Sequence, residues 1–79
     1  MLPEQANTVH EYIIEHGLLG EVEIRTKAKW KGCGSRATYY NAVANAKQGH
    51  KTGLVEELML LEAEQLMIEH SRSTMVEAA

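Results

Sequence analysis

Seven of the eight basic residues, Arg25, Lys27, Lys29, Lys31, Arg36, Lys47 and Lys51, lie between Ile24 and Val55, a stretch without a carboxylate. Every glutamate falls outside it: Glu4, Glu11, Glu15, Glu21 and Glu23 before, and Glu56, Glu57, Glu62, Glu64, Glu69 and Glu77 after. The chemistry on offer is the neutralisation of phosphates. A chain of formal net charge −3 still presents a positive surface if its charges are sorted this way. For most basic runs a solvated charged face is the plainer reading. Here the run leads into Gly32-Cys33-Gly34-Ser35-Arg36-Ala37-Thr38-Tyr39-Tyr40-Asn41-Ala42-Val43, a turn and helix of small, polar and aromatic residues, which favours nucleic acid.

No catalytic constellation accompanies these residues. There is no Asp, no carboxylate within the basic segment and no glycine-rich phosphate loop, so neither an enzyme nor a cofactor is expected. His10, His16, His50 and His70, with Cys33, lack metal-ligand spacing and read as surface or core residues. Cys33 reads as a small buried residue rather than a reactive thiol, and Trp30 as core. Tyr39 and Tyr40 have rings that stack on single-stranded bases, although helix packing accounts for one of them.

Length bounds what can position these groups. The 79 residues make one domain, 1–79, whose small aliphatic, methionine-rich core is marginal alone, so oligomerisation is a natural supplement. The single cysteine forms no intrachain disulfide, no secretory signal is visible, and the longest apolar run is Leu58 to Leu61. A cytoplasmic protein without a membrane partner is expected.

The elements follow in order. Residues 3 to 16 read as a helix, with Pro3 at its first position, Ala6, Val9 and Ile13 on one face, Gly17 as a left-handed stop and Leu18 folding back on Ile13. Residues 22 to 31 are ambiguous. Val22, Ile24, Thr26, Ala28 and Trp30 alternate with charged residues as in a half-buried strand, and as a helix the stretch is poorly amphipathic. After the Gly32–Gly34 turn, Ser35 is an N-cap for a helix from Arg36 to about Gln48. Ala37, Tyr40, Val43 and Ala44 are expected inside, with Tyr39 at the edge. Thr38, Asn41 and Asn45, with Ala42 between them, form an uncharged outer stripe suited to base edges.

Gly49 to Gly53 breaks the chain, and a last helix is expected from 54 to 70. It carries two apolar arcs. Leu54, Leu58, Leu61 and Ile68 form one, and Val55, Met59, Leu60, Ala63, Leu66 and Met67 the other. One small domain needs only one stripe, so the second arc is assigned to a homodimer interface. The domain divides into a first part, 1–52, that holds the turn and the helix after it, a dimerisation helix, 53–72, and a frayed tail, 73–79.

Residues 21 to 48 resemble the helix-turn-helix of small DNA-binding transcriptional regulators of phages, plasmids and bacteria, many of them repressors. Ala28 precedes Gly32 by four positions, and Ser35-Arg36-Ala37-Thr38-Tyr39-Tyr40 is similar to the start of the family's recognition helix. Lys27, at a position the family keeps apolar, and Gly34, which lengthens the turn, depart from the pattern. The resemblance implies an all-α, four-helix chain that binds double-stranded DNA as a dimer. Ser35, Arg36, Thr38, Tyr39, Asn41 and Asn45 would then face the major groove, with Lys27, Lys29, Lys31, Lys47 and Lys51 near phosphates. The strand reading of 22–31 instead resembles ribbon-helix-helix repressors with an added amino-terminal helix. A protein-docking inhibitor acting through the two-faced last helix is the alternative function.

Overall fold

In the computed structural model the chain is all-α, with four helices among the described residues: α1 (Pro3–Glu15), α2 (Leu19–Lys29), α3 (Arg36–Lys47) and α4 (Leu54–Ala78). The backbone is described for residues 1–78 and the side chains for residues 1–73. Helix α4 is the spine, against which α1, α2 and α3 each pack. No strand occurs among the described residues, which removes the ribbon alternative.

Helix α1 buries Ala6, Val9 and Ile13, as its spacing requires. Gly17 adopts φ +65°, and the Gly17 and Leu18 amides donate to the carbonyls of Ile14 and Ile13 at 3.2 and 2.9 Å. These two bonds satisfy carbonyls that the helix end leaves open, and they turn half-buried Leu18 back onto the core.

The ambiguous stretch is helical from Leu19. Its buried face is Leu19, Val22 and Thr26, at i, i+3 and i+7. Of the alternating set, only Val22 and Thr26 point inwards, while Ile24 is 64 % exposed and Trp30, expected in the core, is 38 % exposed. Thr26 sits in the core because its Oγ1 donates to the Val22 carbonyl at 2.9 Å, leaving only its methyl to pack. A polar residue on the inner face is what hid the helical period.

Gly34 proves to be the tightest point of the α2–α3 connection. It is buried at φ +98°, and a Cβ there would lie 2.5 Å from Thr26 Cγ2 and 3.5 Å from Met59 Sδ. The turn therefore rests on the junction of α2 with α4. Cys33 beside it is exposed, contrary to its reading as a buried residue.

Ser35 caps α3 as expected, its Oγ accepting from the Thr38 amide at 3.3 Å. The inner face differs from the expected one. Tyr39, Ala42, Val43 and Ala46 are buried, whereas Ala37 and Ala44 are exposed and Tyr40 is 50 % exposed. Four alanines give α3 little hydrophobic contrast, so the choice between adjacent tyrosines sets its rotation. Tyr39 wins because its buried hydroxyl finds His10 Nδ1 at 3.1 Å.

Helix α4 starts at a half capping box, in which Glu56 Oε1 accepts from the Gly53 amide at 3.1 Å. It runs to Ala78 rather than ending near residue 70. The side chains of the expected frayed tail beyond residue 73 lie outside the described residues. Met59, Leu60, Ala63 and Leu66 are buried within the chain, with Val55 and Met67 packed against them. The arc assigned to a second subunit is thus the chain's own core, because three helices suffice to cover one side of α4. What stays outside is the other arc, with Leu54 67 % and Leu61 47 % exposed.

Gly34→Ala and Gly32→Ala provide a test of this packing. Both place a side chain at positive φ, at a cost of about 1–2 kcal/mol. Around Gly32 there is open space, whereas at Gly34 the Thr26 side chain and the underlying backbone must also move. Urea unfolding should therefore rank Gly34→Ala clearly below Gly32→Ala in stability.

Candidate nucleic-acid interface

The outermost line of α3 is Ala37, Asn41, Ala44 and Gln48, all exposed, at i, i+4, i+7 and i+11. No carboxylate and no side chain longer than glutamine stands on it. Tyr40 forms one shoulder, its ring centroid 6.1 Å from that of His10. Half-buried Thr38 and Asn45 form the other.

Of the expected base-facing residues, Asn41 alone stands open on this line. Tyr39 is fully buried and belongs to the core. Asn45 is engaged elsewhere, since its Nδ2 donates to Glu56 Oε2 at 3.2 Å. Ser35 and Thr38 are occupied with the cap, their hydroxyls 3.1 Å apart. Arg36 Nε reaches Glu23 Oε1 at 3.4 Å, although its side chain remains 60 % exposed. Gln48, Ala37 and Ala44 were missed. The 4-3-4 spacing through Asn41 carried the signal, but it is visible only once Tyr39 is known to be inside.

The charges are less segregated in space than along the chain. Lys27 Nζ lies 3.2 Å from Glu23 Oε2, and Lys29 pairs with Glu62. Arg25 grips Glu69 with two guanidinium bonds of 3.0 and 3.1 Å. Glu23 within α2 and Glu62 and Glu69 of α4 thus take up the cations of α2. Lys31 in the turn before α3, Lys47 in its last turn and Lys51 in the following loop form no ion pair among the described residues. Within the basic segment these three are the cations left without an ion pair.

The pairing leaves a mark on the carboxylates. The Lys27 ammonium, helped by Arg36, holds Glu23 below the ordinary range, and Arg25 does the same for Glu69. The Thr52 hydroxyl, donating at 2.7 Å, lowers Glu57. Burial and the nearby Lys47 push His10 down, against a smaller opposing effect of Glu11. Burial, with neighbouring Tyr40, raises Tyr39.

A second group of aromatic rings forms where α1 meets α4. The His16 and His70 ring centroids are 4.9 Å apart, and the Tyr12 hydroxyl shares a 2.6 Å hydrogen bond with His70 Nδ1. Sequence spacing alone gave no sign that these residues meet.

No family model, no curated protein and no solved structure matches the chain. The candidate interface therefore stands on its own geometry.

His10 makes a prediction about pH. Its folded value lies below the unfolded value of about 6.5, so just below that pH the unfolded chain binds more protons and stability falls. The depressed Glu23, Glu57 and Glu69 act in the same direction at lower pH, where their contribution is lost as pH falls through their folded values. Thermal unfolding followed by circular dichroism should show the midpoint declining in two stages on acidification. His10→Gln should flatten the first stage and leave the second.

Proposed function

We propose that the chain binds duplex DNA through the exposed line of α3 and acts as a small transcriptional regulator. The observation that carries this reading is the carboxylate-free stripe Ala37-Asn41-Ala44-Gln48. Alanine permits the close approach a groove demands, and Asn and Gln amides are suited to paired hydrogen bonds with adenine. Lys31, Lys47 and Lys51 position the helix on phosphates and carry no sequence information. Arg36 adds a fourth cation at the start of α3, with part of its charge engaged by Glu23. Lys27 and Lys29 drop out of the contact set, because their ammonium groups are held by Glu23 and Glu62. The alternative of a protein-docking inhibitor rests on the exposed leucines of α4 alone and requires nothing of α3.

Gel-shift titrations at two salt concentrations on random duplexes, and on a duplex selected from them, test the reading. Asn41→Ala and Gln48→Ala should each cost roughly 1–3 kcal/mol on the selected site and little on random DNA. Lys47→Ala should weaken both alike and reduce the salt slope by about one. Lys29→Ala should leave specificity unchanged. Absence of duplex binding at low salt, or equal losses on both DNAs for Asn41→Ala, would refute the assignment.

A further inference from the structure

The outer line of α3 offers partners for one kind of base pair. Ala37, Asn41, Ala44 and Gln48 present two side-chain amides and two methyl groups, all exposed. Unlike the Asn45 amide, which Glu56 engages, those of Asn41 and Gln48 make no hydrogen bond among the described residues. In the major groove guanine is read by a guanidinium or ammonium set against its O6 and N7, and cytosine by a carboxylate that accepts from its N4. None of those groups stands on the line. Arg36, one residue before Ala37, projects roughly 100° round the helix from it, and its Nε meets Glu23 Oε1 at 3.4 Å. Lys47 follows Tyr40 at i+7 and shares its shoulder rather than the line.

We propose that α3 recognises a duplex site built of A·T pairs, in which Asn41 and Gln48 each pair with an adenine and the Ala37 and Ala44 methyls pack on thymine methyls. This rests on the proposed DNA binding and narrows it to a class of sequence. Each amide accepts from adenine N6 and donates to N7 in one bidentate contact. Guanine replaces the N6 donor with the O6 acceptor, so the amide keeps its bond to N7 but sets its own carbonyl oxygen against O6. The helix also fixes the span. From Asn41 to Gln48 the axis advances about 10 Å, and base pairs follow one another every 3.4 Å or so along a strand, which puts the two adenines roughly two or three pairs apart. Ala44 lies between the amides, over the intervening pair, and Ala37 lies about 6 Å before Asn41. All four side chains of the line are then matched by A·T pairs.

Selection from a random duplex pool with the intact chain should enrich an A·T core with two adenines roughly two or three pairs apart. Replacing either of those pairs by G·C should weaken wild-type binding about tenfold. Asn41→Arg should change the preference at one position from adenine to guanine, because a guanidinium matches O6 and N7, and Gln48→Arg should do the same at the other. Both side chains are exposed, so neither variant disturbs the core. Uracil in place of thymine at the intervening pair removes a methyl and keeps the pairing edges, so it should weaken the wild type but not Ala44→Gly. Enrichment of G·C-rich sites, or duplex binding without sequence preference, overturns the A·T assignment and leaves the chain a DNA-binding protein. Arginine variants that keep the adenine preference overturn the roles of the two amides, and a wild type indifferent to uracil overturns the methyl contact. Failure to bind any duplex at low salt overturns the DNA reading itself, and this inference with it.

Discussion

Burial of the inner side of α4 is the constraint on which the rest of the fold depends. Met59, Leu60, Ala63 and Leu66 meet apolar faces from all three preceding helices, each of which is too short to persist alone. Helices α1 and α3 also touch one another, through the His10–Tyr39 hydrogen bond, but α2 relies chiefly on α4. Gly34 is the price of that arrangement, a position where any side chain would strike Thr26 beneath it. The α2–α3 turn and the α4 core are in this sense one packing unit.

Electrostatics follow from the same packing. Because α2 lies along α4, its Arg25 and Lys29 meet Glu69 and Glu62, far away in sequence. Exposed pairs of this kind add little stability each. Their larger effect is to decide which cations remain open. The positive surface contracts from the whole basic segment to its part beyond α2, around α3, where Lys31, Lys47 and Lys51 lie. The neutral outer line of α3 is then bordered by cations rather than embedded in a continuous basic face, so the proposed DNA contact would rest on the amide groups as much as on the cations.

The location of the breaks was determined by the sequence itself, although α4 runs past the end expected for it. Gly17, Ser35 and Gly49 act through local backbone geometry and short hydrogen bonds, which need no distant partner. The tertiary structure decided which way each helix faces. Thr26 entered the core because its hydroxyl was satisfied within its own helix, turning an apparent strand pattern into a helical one. Tyr39 rather than Tyr40 entered because His10 of α1 was there to meet it, and that rotation exchanged Ala42 for Ala37 and Ala44 on the outer surface. The two apolar arcs of α4 were legible in the sequence, but their assignment to core and surface depended on where the other three helices settled. Asn41 was identified correctly as open because it stays outside under either rotation, whereas Asn45 was lost to Glu56, a partner that only folding brings close.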